Sequence, residues 1–254
     1  MYFTHEQAEE LTRAHSEVHD KFADIRNRYI SRNYANARAE EYATHGFARR
    51  LGIVVRCIDN VFEILPPDLE AIPSRDAVAD ATINVQAFVF NVFGSIDNLA
   101  WIWVEEKAVR NEDGSPIPNK WIGLGEKNTF VRGTFSAEFQ EYLTKLNPWF
   151  SQLHDYRHAL AHRIPLYIPP YTVTPANLAA HQQLEDRMTE AIKQSNFADY
   201  ERLSSEQEAL GSFKPWMTHS FEEGTTPVVF HYQMLADFNT IEELAKKMLK
   251  ELDA

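Results

Sequence analysis

The chain has 254 residues, 44% of them apolar and 24% charged, a composition that fits a globular protein and excludes a low-complexity or disordered one. With 37 acidic against 25 basic side chains its formal charge is −12, which excludes polyanion affinity spread over the whole surface and requires any nucleic-acid site to be local. A single cysteine, Cys57, excludes an intrachain disulfide framework and suits a reducing compartment.

The N-terminal MYFTHEQAEELTRAH has no uncharged apolar run behind a basic start, so no secretory signal is read and a cytoplasmic location is expected. A first helix is predicted from Thr4, an N-cap with Gln7 three residues on, to about Arg32, with Leu11, Val18, Phe22, Ile25 and Tyr29 on one face. A second runs from about Arg38 to Leu65, where Pro66-Pro67 stops it, and a helical hairpin results. The third starts after Ser74 and extends to about Arg110. It is apolar on most faces and belongs at the centre of a bundle. Its stretch Ile83 to Val104 would suit a membrane span, but Gln86, Asn91, Asp97 and Asn98 interrupt it, so a buried helix and no membrane are expected.

Residues 111 to 134 are rich in Gly, Pro and polar side chains and predict a long loop, with Trp121, Ile122 and Phe130 as apolar anchors. A packed excursion is favoured over a lid. Its Gly123-Leu-Gly125-Glu-Lys127 superficially resembles a phosphate loop but lacks the Gly-Lys-Ser/Thr ending and a preceding strand. A short helix follows from Ser136 to about Lys145, and Asn147-Pro148 reads as an N-cap with proline at the first helical position. The next helix then covers about 148 to 163. Thr174-Pro175 starts another, to about Gln194, whereas 195 to 212 is ambiguous. FKPWMTHSF and PVVFHY flank Glu223-Gly224 and predict a small β-hairpin over about 213 to 232. A closing helix carries Leu235, Phe238, Leu244, Met248 and Leu252 at helical spacing. No repeat or linker divides the chain, so one all-α domain over 1–254 is expected.

The segment HDYRHALAHRIPLYIPP, residues 154–170, carries the chemistry. It sets Arg157 and three histidines on one helix and then stops that helix with prolines. Arginine stays protonated and offers a planar fork to phosphate oxygens. Histidine titrates near neutrality and can move protons. Spacing alone is weak, because roughly two Arg/His pairs four to six residues apart are expected by chance in such a sequence. Arg13/His19 and Arg38/His45 also qualify, but Ala14 and Ala39 follow those arginines, away from any helix stop. Arg157/His162 alone combines a polar follower, His158, with the helix-then-proline context. Five helical positions separate Arg157 and His162 by about 140°. They share a face only if the helix end is distorted, which Pro165 makes plausible.

Arg157-His158-x-x-x-His162 resembles the Arg-polar-x-x-x-His signature of the HEPN superfamily. The apolar SIDNLAWIW, the NPWFSQLHDYRHALAHRIPLYIPP segment, PWMTHS and the closing helix are similar to its Cthe_2314-like branch. The resemblance implies an HEPN-like bundle of long antiparallel helices acting as a metal-independent endoribonuclease with no cofactor. It also implies a homodimer whose cleft brings the two residues together. His162 would transfer protons, Arg157 would clamp phosphate, and His158 would shape the site. Asp97, Asn98 and His154 are candidate accessory residues. Since the superfamily includes silent members, the alternative is a module that binds RNA, a nucleotide or a protein partner.

A metal reading competes on the same helix. His154, His158 and His162 recur every four residues, but drift by about 40° per step, so a single ion would need a ligand from elsewhere, such as Asp97 or Glu105. No metal is assigned. Two basic clusters remain, Arg26/Arg28/Arg32/Arg38 and Arg49/Arg50/Arg56, which read first as solvated helix faces.

Overall fold

In the computed structural model, which describes residues 2–220 and 226–254, Thr4 opens the first helix as its capping box requires. Its side chain accepts from the Gln7 N–H, and the Gln7 side chain accepts from the Thr4 N–H in return. Two helices, α1 (His5–Ser16) and α2 (Val18–Ile30), replace the single one expected. Glu17 between them keeps right-handed angles (φ −78°, ψ −16°), so the interruption is a step in a nearly continuous rod. The second expected helix is also segmented, into α3 (Ala37–Glu41), a π-helical turn (Tyr42–Phe47) and α4 (Ala48–Ile64). It ends before Pro66, as the missing proline donor dictates.

Ser74 caps α5 (Arg75–Glu106), its side chain accepting from the Ala77 N–H at 3.2 Å. After α5 come the single-turn α6 (Thr129–Arg132), α7 (Ala137–Lys145) and α8 (Asn147–His162), then strand β1 (Thr172–Val173), α9 (Leu178–Lys193) and α10 (Phe197–Glu208). Strands β2 (Gly211–Ser212), β3 (Trp216–Met217) and β4 (Val228–Val229) precede the closing α11 (Phe230–Asp253). The fold is thus mainly all-α. The sequence region left ambiguous resolves into α10 and β2.

Helix α5 packs against α3, the π turn, α4, α8 and α11. By length and composition it could cross a membrane, yet 67% of its most apolar window is buried inside the protein, as befits a core helix. One apolar cluster runs from Phe3 through α2, α4, α5, α7, α8 and α11 to Leu252. A satellite of Met188, Ala191 and Leu203 holds α9 and α10 to each other. Tyr29 joins α2 to α11: its buried hydroxyl donates to the Ala245 carbonyl at 2.9 Å. We expect Tyr29→Phe to lower stability by about 1 kcal/mol, read as a shift of the urea midpoint with an unchanged slope.

Two expectations need correction. Trp121 and Phe130 are 49% and 43% exposed and anchor nothing, whereas Ile117, Ile122, Leu124 and Val131 are buried and pin the 111–134 segment onto the core. The strand pairing expected over 213–232 is only two residues long, Trp216 opposite Val229 and Met217 opposite Val228. From Phe230 the chain is already helical. The expected turn at Glu223-Gly224 lies outside the described residues. Strands β1 and β2 form a second antiparallel pair, Thr172 with Ser212 and Val173 with Gly211, which the sequence reading did not contain.

Candidate functional site

Proline tolerates the first turn of a helix because its missing N–H would have no partner there, and Pro148 occupies that place in α8. Asn147 is not the cap that its residue type predicts. It is already helical, Leu146 precedes it without a side-chain cap, and its Oδ1 accepts from Arg132 Nη1 at 2.7 Å. An arginine rather than a backbone donor has claimed the amide oxygen. Phe150, Leu153, Tyr156 and Ala159 are buried, which leaves His154, Arg157, His158 and His162 exposed. Asp155 fastens the end of the helix: it pairs with Arg163 and lies 3.2 Å from Nε2 of the buried His219.

The exposed side chains form a continuous series. The Arg157 guanidinium stands over the Phe93 ring of α5, 5.1 Å from its centroid, a cation–π placement. His154 is tilted against the same ring at 6.4 Å. His154 and His158 are 6.3 Å apart between ring centroids, and His158 and His162 are 5.2 Å apart. On a regular helix the series spans an arc of about 140°, with Arg157 and His162 at its ends. The helix is regular through His162, since the Arg163 N–H still donates to the Ala159 carbonyl at 2.9 Å. Arg163 then leaves it with φ −131° and ψ −148°. The distortion expected from Pro165 therefore falls after His162 and does not turn it toward Arg157. Among the described residues no carboxylate lies within ion-pair distance of these four side chains.

Asp97 and Asn98, adjacent on α5, part company. Burial pushes the Asp97 carboxyl up to about 6, while Arg157 and then Arg50 pull it down. Asp97 thus answers to the α8 site on one flank of α5 and to α4 on the other. A carboxyl shifted into this range is of use in proton transfer. Asn98 faces the π turn, where a Cβ on Gly46 would lie 2.9 Å from its Cγ. It does not join Arg157. In the sequence Phe93 reads only as part of the wide apolar stripe of α5, although it precedes Asp97 by four residues and so shares its face. Arg50 had no comparable signal, because its nearness to Asp97 is purely tertiary.

Among the described residues no set of three or more His, Cys, Asp or Glu is placed to hold a metal ion. The three histidines succeed one another along the arc instead of converging. Glu105 lies toward Arg110, 3.9 Å away. The Arg26/Arg28/Arg32/Arg38 cluster is dispersed among partners: Arg26 over Phe22, Arg28 toward Asp24, Arg32 on Asp253, Arg38 on Glu41. Cys57 is buried, and desolvation raises its thiol to about 11, which suits a structural residue. Comparison of the chain with protein-family models, curated proteins and solved structures returns no match.

Proposed function

We propose that this chain is an HEPN-like protein that cuts RNA without a metal at the exposed face of α8. The observation that carries the proposal is the Arg157 guanidinium, exposed, seated on Phe93 and without an ion-paired carboxylate, beside the unbroken series His154, His158, His162. A cation held in place with no carboxylate in ion-pair contact is available to phosphate. Imidazoles beside it can carry a proton to or from a ribose hydroxyl. In this reading Arg157 clamps phosphate, His162 transfers the proton and His158 shapes the site, with His154 and Asp97 accessory. Two chains pair so that Arg157 of one and His162 of the other line a shared cleft, in the cytoplasm.

A second reading has its own support. Because α8 is regular up to His162, Arg157 and His162 of one chain stay on separate faces, which suits a silent module that binds RNA, a nucleotide or a protein partner.

Incubating the purified protein with a mixed pool of single-stranded RNA in excess chelator separates the two. Cleavage that survives chelation and leaves 2′,3′-cyclic phosphate ends is the expected result. Intact RNA that nevertheless co-migrates with the protein would leave the binding module, and cleavage abolished by chelator would revive a metal on the histidine series.

A further inference from the structure

The π turn opens a cavity that the α8 site does not use. Its volume is about 380 Å³, within the range of small-molecule sites. Arg38, His45, Arg49, Arg50 and Asn98 supply its polar wall, with Glu41 the sole acid among its lining residues. Three guanidiniums against one carboxylate make this a positive recess in a chain of net charge −12. The pair Arg38/His45, set aside in the sequence because alanine follows the arginine, is brought to the same recess by the π turn.

Two glycines give way to the polar wall. A Cβ on Gly46 would meet Asn98 Cγ at 2.9 Å, and one on Gly94 would meet Arg50 Cζ at 2.5 Å. Both side chains occupy space that any other residue would fill. Asn91 keeps its Oδ1 toward Arg50 Nη1 at 3.4 Å by donating its own Nδ2 to the Ala87 carbonyl at 2.8 Å. Tyr42 forms part of the rim, stacked on Trp101 at 5.1 Å and with the Arg38 guanidinium over its ring at 4.7 Å. Asn98 is only 9% exposed, lines the cavity, and its Oδ1 has no hydrogen-bond partner. A buried acceptor left unpaired costs about 1–3 kcal/mol, so a donor from a ligand would relieve it. Among the described residues Arg49 makes no ion pair or side-chain hydrogen bond, so its charge is available.

We infer that this cavity binds a phosphorylated small molecule of mononucleotide size, with the phosphoryl group on Arg49 and Arg50 and a hydrogen-bond donor of the ligand on Asn98 Oδ1. A free phosphate would leave much of the volume and Asn98 unused; a neutral nucleoside would leave the arginines unused. The inference does not rest on the nuclease reading, because none of the α8 histidines nor Arg157 lines the cavity.

Calorimetric titration of the full chain with adenosine, guanosine, cytidine and uridine 5′-monophosphates tests it, with adenosine and inorganic phosphate as separate arms. We expect saturable one-site binding of at least one monophosphate, at least tenfold tighter than either adenosine or phosphate. Arg49→Gln, which breaks no ion pair or side-chain hydrogen bond among the described residues, should weaken it at least tenfold, and Asn98→Ala at least fivefold. Arg157→Ala should leave it unchanged. No saturable binding of any monophosphate at millimolar concentration would overturn the inference, as would binding no tighter than that of inorganic phosphate. Binding lost in Arg157→Ala but retained in Arg49→Gln would overturn it too, by moving the ligand to α8.

Discussion

Arg157→Ala is expected to slow chelator-resistant RNA cleavage by about 10²–10³-fold, and His162→Ala by about 10²–10⁴-fold, on the nuclease reading. The first figure is the usual loss when a fixed positive group is withdrawn from developing oxygen charge; the second is that for a positioned proton-transfer group. Neither change should unfold the protein, since both side chains are exposed and surface substitutions away from caps and ion pairs usually stay within about 0.5 kcal/mol. Arg157→Lys is informative because it keeps the charge while losing the planar fork. It should recover only part of the rate. Phe93→Leu removes the platform beneath the guanidinium without touching RNA, and should raise KM more than it lowers kcat. If Arg157 and His162 act across a dimer cleft, mixing the two single-alanine variants restores one intact site per heterodimer and part of the activity. Single-turnover rates at saturating RNA, beside thermal midpoints, settle the matter. Undiminished cleavage by the double variant would end the assignment.

The sequence marked helix starts better than it marked helix interiors. Thr4 caps the helix it is expected to cap, and Ser74 and Ser136 cap the helices expected to begin beside them, because capping is local, between one side chain and the next three residues. Pro66 likewise stops its helix by a covalent restriction. The π turn gives no such local sign. Its residues, Tyr42–Phe47, fit a helix of ordinary period, and the turn goes with tertiary contacts: Gly46 against Asn98, Tyr42 against Trp101. Asn147 shows how a local rule yields to a distant partner, in its case the buried Arg132. The α8 series was legible for a simple reason. Its members follow one another along an exposed arc of a single helix, and helical spacing is what a sequence displays. Asp97 and Asn98 part because neighbours on a helix point about 100° apart, and only packing decides which of them faces α8.

Asp237→Asn should change the pH dependence of stability more than any other single substitution outside the α8 site. Asp237 is buried on α11, where its Oδ1 accepts from Trp149 Nε1 at 2.8 Å and Gln233 Nε2 at 2.7 Å. Burial nevertheless pushes its pKa up to about 7, against those two hydrogen bonds. An unfolded aspartate titrates near 3.9, so between about pH 4 and 7 the folded chain holds the extra proton. Stability therefore falls as pH rises through that window, by on the order of 4 kcal/mol. Six residues earlier, His231 does the reverse. It is buried, its Nε2 lies 2.7 Å from the Leu65 carbonyl, and desolvation lowers its pKa to about 4. The unfolded imidazole binds a proton below about 6.5, so this group makes stability rise between about pH 4 and 6.5, by on the order of 3 kcal/mol. The two slopes oppose each other over nearly the same window, and the parent protein should show little net change there. Asparagine keeps an acceptor for Trp149 and Gln233 and removes the falling slope. Asp237→Asn should thus gain stability steadily from pH 4.5 to 6.5 and exceed the parent by a few kcal/mol at pH 8. His231→Gln should show the complementary decline from pH 4.5 to 7. Urea unfolding at half-unit pH steps reads both slopes, and an Asp237→Asn protein less stable than its parent at pH 8 would show that the carboxylate, not the acid, is the form α11 is built to hold.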